Sequence, residues 1–151
     1  MAKTCRISET CYSPRLSNYD RCSAANGRAR KLVSAADEAV CARMAFHMAE
    51  VADLMAELGA YDVVFLAALV GMTSEEKADA IAHLGKHMAD GVVLVARSAH
   101  GARAFLYPVV ELDDIGRGGF QMLAVHHPAG DEVFNSFIVA RKVKISQEMS
   151  A

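Results

Sequence analysis

The sequence predicts an open, doubly wound α/β fold with a mostly parallel sheet. Two observations carry that expectation. Val63-Val-Phe-Leu-Ala-Ala-Leu-Val70 and Val92-Val-Leu-Val-Ala96 are continuous apolar runs, which is how strands buried on both faces read. Helical periodicity fills the stretch between them, and an alternation of strand and helix is the mark of crossover-linked parallel strands. With 151 residues, 53% hydrophobic and 23% charged, the chain has the length and apolar content for one packed domain.

Taken in order, residues 1–15 are polar and show no countable period. They read as an irregular N-terminal segment with Ser13 and Pro14 in a loop. The packed domain is expected over 16–142, and 143–151 as a tail, with Arg141, Lys142 and Lys144 in solvent. Leu16-Ser-Asn-Tyr-Asp20 is a short strand. Cys22, Ala25, Ala29, Leu32 and Val33 then recur at helical spacing. Arg43 to His47 is a second strand. Val51, Leu54, Met55 and Leu58 follow at i, i+3, i+4 and i+7, with Gly59 placed to end that helix. After the run from Val63, Thr73 and Glu76 have the spacing of a capping box. Ala78, Ile81, Leu84, Gly85 and Met88 form the apolar stripe of the helix they open, and Asp90-Gly91 stops it. Phe120 to Val125 and Val133 to Ala140 are two strands joined by His127-Pro-Ala-Gly-Asp131, a loop that suits an antiparallel pair.

Composition excludes some functions. Sixteen basic and 18 acidic residues leave a formal charge of −2, which offers no electrostatic case for nucleic acid or an anionic membrane. The longest apolar run is too short to span a bilayer. Cys5, Cys11, Cys22 and Cys41 lack zinc-site spacing, and no apolar secretion signal precedes them. Reduced thiols in the cytoplasm are the expectation.

The order of elements is also that of the S-adenosylmethionine-dependent transferase fold, whose last strand inserts antiparallel. Ligands in such a sheet bind beyond the carboxyl ends of the strands, at the topological switch point. A first strand with a glycine-rich turn normally lies there. No G-x-G-x-x-G occurs in this sequence. Gly116-Arg-Gly118-Gly119 is the nearest and reads as a flexible turn before Phe120. The sheet is therefore expected to be incomplete at its first strand. Either the flanking strands pair directly, or residues 1–15 substitute, or the chain folds poorly, because each unpaired buried backbone group costs roughly 1–3 kcal/mol.

Tyr61-Asp-Val-Val-Phe-Leu-Ala-Ala-Leu-Val-Gly-Met72 and Arg97-Ser-Ala-His-Gly-Ala-Arg-Ala-Phe-Leu-Tyr-Pro-Val-Val110 closely resemble segments of plant nicotianamine synthases. Asp114-Ile-Gly-Arg-Gly-Gly-Phe120, His127-Pro128 and Asn135-Ser136 continue the match in order, from about Asn18 to Lys142. The resemblance implies an aminocarboxypropyl transferase. Family members condense three S-adenosylmethionine molecules into nicotianamine and release methylthioadenosine, so S-adenosylmethionine is a substrate and the protein itself need bind no metal. The resemblance also implies an N-terminal helical portion and a glycine-rich first strand that have no counterpart here. The family's acidic proton-transfer residue belongs to that portion, so no catalytic acid or base is assigned.

Several residues follow as candidates. Asp20, after the first strand, is expected on the ribose hydroxyls, or as a helix N-cap. Glu50 is expected on the adenine amino group, or as a helix-start acid; the family tends to have Thr and Asp where this chain has Met48 and Glu50. Ala67, Ala68 and Leu69 would leave room against the adenosine, or simply pack. Arg97, Ser98, His100 and Arg103 would hold a substrate carboxylate, or form a solvated loop, with Tyr107 and Pro108 as pocket wall, or Tyr107 at a core edge. Asn135, inside an apolar strand, needs hydrogen-bond partners. His83 and His87 lie one helical turn apart, too few for a zinc site, and read as a solvated face. His126 and His127 have no evident partner. The leading expectation is a shortened synthase acting on a small molecule. The alternatives are a non-catalytic remnant that pairs with itself or with full-length synthases, its sheet edges seeking partners, and a methyltransferase.

Overall fold

The computed structural model describes residues 2–8, 11–67, 69–100, 104–128 and 136–144, with side chains from Arg15 onward. Its strands are β1 (Ala2–Ser8), β2 (Cys11–Tyr19), β3 (Met44–His47), β4 (Val63–Leu66), β5 (Val93–Ser98), β6 (Phe120–His126) and β7 (Ser136–Lys142). They form one sheet in the order β3-β2-β1-β4-β5-β7-β6. The pairs β2–β3 and β4–β5 are parallel. β7 runs antiparallel to both β5 and β6. The α/β class and the antiparallel closing strand are as the sequence predicts.

The centre of the sheet is where the structure decides among the three expected outcomes. β1 fills the slot between β2 and β4, antiparallel to both. Residues 2–8 and 11–15 are therefore strand, not an irregular segment, and Ser13 and Pro14 lie within β2. The physical reason is backbone accounting. A slot between two strands offers donors and acceptors on both sides, and any extended segment satisfies them whatever its side-chain period. Pro14 sits next to the point where the β1–β2 register shifts, between Arg6 and Ser8. A residue without an N–H is tolerated at such an irregularity. The link from Ser8 to Cys11 is too short for the crossover that a parallel pair needs, so the pair is a hairpin.

Side chains alternate sharply along β4, β5 and β7. Val64, Leu66, Leu94, Ala96, Ile138 and Ala140 are sealed and share one core with Ile81 and Leu84 of α3 (Ser74–His87). Their neighbours Val63, Phe65, Val93, Val95, Phe137 and Val139 are only half-buried, with the Phe65 and Phe137 rings 6.1 Å apart. α3 opens as expected. The Glu76 carboxylate accepts the Thr73 N–H at 2.7 Å, and the Thr73 hydroxyl accepts the Glu76 N–H at 3.2 Å.

The Gly116–Gly119 stretch is no flexible turn. It ends α4 (Leu112–Arg117), where the Gly118 N–H donates to the Asp114 carbonyl at 2.9 Å. A Cβ on Gly85 would lie 1.8 Å from the Gly118 carbonyl oxygen, so the two glycines let α3 and α4 touch by their backbones.

Other expectations are corrected. The helix expected from Val51 to Leu58 is two 3-10 turns, Val51–Asp53 and Ala56–Ala60, because Leu54 between them is extended. Leu54 and Leu58 are nevertheless buried, as their spacing implied. α1 (Ser23–Ser34) buries Asn26, while Leu32 of its apolar stripe is 76% exposed. Lys142 is not in a solvated tail. It is 6% exposed, lies 5.9 Å over the Phe120 ring and donates to the Gly119 carbonyl at 3.4 Å. α2 (Glu38–Cys41) is a single turn capped by Asp37.

Candidate functional site

A cavity of about 430 Å³ opens beyond the carboxyl ends of β2 and β3 and beside the loop after β4; its lining includes Tyr19, Asp20, Ala49, Glu50, Leu69 and Met72. Three side chains singled out in the sequence, Asp20, Glu50 and Leu69, are thus brought to one space from three loops. This is the rim where an open α/β sheet takes its ligand.

A buried polar knot fixes the rim. Asn26 of α1 donates through Nδ2 to the carbonyls of Asp20 (3.1 Å) and His47 (2.9 Å), tying the ends of β2 and β3 together. Its Oδ1 accepts from Asn18 Nδ2 at 3.0 Å. Asp20 Oδ1 accepts the Cys22 N–H at 2.8 Å, an Asx turn that leads into α1. Cys22, not Asp20, occupies the N-cap position. A carboxylate accepts more than one hydrogen bond, so this turn leaves capacity for a ligand.

Tyr19 is the aromatic side chain of the lining and is backed by two further rings. The Tyr19 ring stacks on His47 with centroids 4.7 Å apart, and its hydroxyl lies 2.7 Å from that of Tyr61. Burial first, and the Tyr61 hydrogen bond second, push the Tyr19 phenol above the ordinary tyrosine range. The phenol is a neutral part of the lining.

Glu50 begins the 3-10 turn at Val51, where its N–H donates to Asp53 Oδ2 at 3.2 Å. Arg21 Nη1 stands 3.8 Å from Glu50 Oε1, both side chains more than half exposed. Solvent screens such a pair, so it costs a ligand little to displace. On the far wall His83 is half-buried rather than solvated. Its Nε2 lies 2.6 Å from the Leu54 carbonyl oxygen, and its ring is 4.5 Å from that of His87. The His87 imidazole is held below the ordinary histidine value by desolvation, then by His83 and Lys86. Among the described residues, no group of three His, Cys, Asp or Glu could hold a metal.

The residues after β5 gather elsewhere. A second cavity, about 220 Å³, is lined in part by Ser98, Val110, Glu111, His127 and Ser136. Ser98 Oγ accepts the Val110 N–H at 2.9 Å and pins the loop that returns from Pro108. Ser136 Oγ lies 2.6 Å from His127 Nδ1 and 2.6 Å from His100 Nδ1, with the two rings 4.4 Å apart.

Arg97 and Tyr107 line neither cavity, nor does Pro108. Ala67 is buried at the end of β4 without reaching the first cavity. Ala68, Arg103 and Asn135 lie outside the described residues. Sequence reasoning assigned no role to Tyr19, Met72 or Ser136 and saw no partner for His127, which Ser136 supplies. Tyr19 was readable as the last inward residue of a strand next to Asp20. The His100–Ser136 contact spans 36 positions and has no local signature.

The pattern of the family described as nicotianamine synthase protein matches residues 4–147. The "nicotianamine synthase-like 5 protein" of Hordeum vulgare is 85% identical over 132 residues, which is 87% of this chain and 47% of that protein. "Nicotianamine synthase 2" of Oryza sativa subsp. japonica is 73% identical over 125 residues, 83% of this chain and 38% of that protein. The chain thus spans less than half the length of these relatives.

In fold, it superposes on a crystal structure of an MtNAS mutant in complex with S-adenosylmethionine with a TM-score of 0.67, at 21% identity, covering 89% of this chain and 48% of that one. The magnesium protoporphyrin IX methyltransferase of Synechocystis, with bound SAM, gives a TM-score of 0.64 at 21% identity, covering 83% and 58%. These structures share the S-adenosylmethionine-dependent transferase fold. The family match over residues 4–147 places this chain in the nicotianamine synthase family.

Proposed function

We propose that this chain carries the adenosyl-binding half of a nicotianamine synthase and takes S-adenosylmethionine as substrate in aminocarboxypropyl transfer, releasing methylthioadenosine. The observation that carries the reading is the rim cavity holding Asp20, Glu50 and Leu69 in a member of this family. The residues present fit an adenosyl group. Ala49, Val51, Leu69 and Met72 supply apolar lining. Asp20 and Glu50 place carboxylate acceptors at two edges, where ribose hydroxyls and an exocyclic amine would donate. The knot of Asn18 and Asn26 holds those edges in register, and a pre-organised site loses less on binding. We take Ser98 and His100, at the end of β5 and just after it, to hold the amino-acid end of the substrate. The same reading makes the partner a small molecule rather than nucleic acid or membrane, with no resident metal, in the cytoplasm. No described helix is long and apolar enough to cross a membrane.

The test is direct. Purified protein is titrated with S-adenosylmethionine by calorimetry and then incubated with it, and the products are analysed by mass spectrometry. Binding with methylthioadenosine and nicotianamine in the mixture is expected. Folded protein that neither binds S-adenosylmethionine nor releases methylthioadenosine would overturn the reading.

A second reading is a non-catalytic companion of full-length synthases. The half-buried apolar face of Val63, Phe65, Val93, Val95, Phe137 and Val139 favours it, since a contiguous apolar surface is a place for a partner to dock. Co-purification with a full-length synthase is its test, and a monomer that ignores the synthase argues against it.

A further inference from the structure

The strand ends beside the second cavity bring two imidazoles to one hydroxyl. Ser136 Oγ lies 2.6 Å from His127 Nδ1 and 2.6 Å from His100 Nδ1. The two rings are 4.4 Å apart and tilted by 37°. Sheet register explains the meeting. Ser136 is the first residue of β7 and pairs with Ser98 of β5. His100 lies two positions beyond Ser98. His127 follows His126, which pairs with Phe137 of β7. The sheet thus carries the hydroxyl and delivers one histidine from each strand that flanks it.

These three groups are a donor set. With both rings neutral, the hydroxyl donates to one Nδ1 and accepts an N–H from the other. One Nδ1 is therefore already a bare lone pair. The second becomes bare when its ring shifts to the Nε2–H tautomer, which changes no net charge. Both rings are exposed to solvent, so each Nε2–H finds water and an ion has a path in. Imidazole–metal bonds are about 2.0–2.1 Å long, so two nitrogens on one ion stand roughly 3–4 Å apart. A shared hydroxyl at 2.6 Å keeps this pair within reach of that span. An ion between them lies against Ser136 Oγ, whose lone pairs make it the third donor. Ser136 is 1% exposed, so one side of the set is fixed in place.

We propose that His100 Nδ1, His127 Nδ1 and Ser136 Oγ form a site for a divalent late first-row ion of the nickel–copper type. Two nitrogens and an oxygen, with further positions left to water, suit the tetragonal preference of these ions, whereas a structural zinc site takes four protein ligands. The third donor is a hydroxyl, which sets this site apart from clusters of three His, Cys, Asp or Glu, absent among the described residues. Glu111 lines the second cavity together with His127 and Ser136, and a carboxylate there favours a cation. The ion is an exchangeable ligand rather than a resident cofactor, because a neutral hydroxyl is a weak third donor. Coordination through Nδ1 leaves both Nε2–H groups free, so His100 can still donate to a substrate carboxylate. The inference does not rest on the synthase reading.

The other histidine pair makes a comparison within the same molecule. His83 Nε2, 2.6 Å from the Leu54 carbonyl oxygen, must carry a proton to donate there and is closed to an ion.

The test uses the full chain and nickel(II) chloride, which does not oxidise thiols as copper(II) does, in a non-chelating buffer at about pH 8, where imidazole is neutral. Calorimetry should show one ion bound per chain. His100→Gln and His127→Gln should each weaken it by about 100-fold, the upper end of what losing even an outer-shell partner costs. Ser136→Ala should weaken it by about 10-fold, the lower end. His83→Gln and His87→Gln together should leave it unchanged. Amide spectra of the nitrogen-15-labelled, unmodified protein give a readout that needs no variant, and paramagnetic broadening should centre on His100, His127 and Ser136. Broadening centred on His83 and His87, on a cysteine or on the amino terminus would overturn the proposal. So would folded protein that binds no nickel, or binding that His100→Gln and His127→Gln both retain in full.

Discussion

Asn18 and Asn26 join their side-chain amides at 3.0 Å, and both residues are at most 5% exposed. Helix α1 is anchored to the sheet through this polar contact, and the same Asn26 amide clamps two strand ends at the rim of the first cavity. Replacing Asn26 by Leu leaves the Asp20 and His47 carbonyls and the Asn18 amide without that partner. The expected loss is about 1–3 kcal/mol, the order for stranding the buried Asn18 amide, since the His47 carbonyl still accepts the Asp20 N–H. Urea unfolding measures it. A loss under half a kcal/mol would show that water replaces the amide and that the knot is not structural.

Gly85 and Gly27 make a matched pair. A Cβ on Gly85 meets the Gly118 carbonyl oxygen at 1.8 Å, whereas one on Gly27 meets nothing within 4 Å. Gly85→Ala should destabilise by about 1–3 kcal/mol through overpacking. Gly27→Ala, inside α1, should stabilise by up to about 1 kcal/mol from helix propensity. Thermal melts of the two variants should therefore move in opposite directions. Equal shifts would refute the close approach of α3 to α4.

Binding at the first cavity should depend on its two carboxylates. Asp20→Ala and Glu50→Ala are each expected to weaken S-adenosylmethionine by about tenfold, the order set by one hydrogen bond to a charged group. Asp113, exposed on α4 and outside the cavity, serves as control. Calorimetry separates the cases. Unchanged affinity in both variants would move the adenosyl group away from this rim.

Glu76 links stability to pH. Its carboxyl is held below the ordinary glutamate value, first by the backbone N–H of Thr73 and then by the Thr73 hydroxyl. A depressed carboxyl favours the folded state fully above the unfolded value, and that contribution fades as pH falls through the folded one. Acidifying below the ordinary glutamate range should therefore lower the melting temperature of the unmodified protein more than that of Glu76→Gln. Parallel pH curves would show that the cap is formed equally in the unfolded chain.

Much of this was legible in the sequence because periodicity and capping are local. Thr73 and Glu76 announced α3, and the runs at Val63 and Val92 announced β4 and β5. Asp20, Glu50 and Leu69 could be placed at the rim because each follows a strand and such loops share one edge of a parallel sheet. What stayed hidden is non-local or polar. β1 has no period, since a strand filling a slot needs only its backbone. α1 buries an asparagine, which an apolar count over Cys22, Ala25, Ala29, Leu32 and Val33 does not see. α4 is six residues long, too short for a stripe. His127 and Ser136 become neighbours only when the closing hairpin forms.

The reversed direction of β1 also bears on how the chain reaches its native state. A parallel centre would force the first strand to wait for a distant return crossing, with the loop-closure entropy that entails. Here the middle of the sheet begins as a hairpin between residues adjacent in the chain, with Arg6 facing Arg15 and Ser8 facing Cys11. Contacts of low sequence separation form quickly. That hairpin could be organised before β4 arrives to pair with it, so a fold otherwise built on remote pairings would have a local seed at its axis.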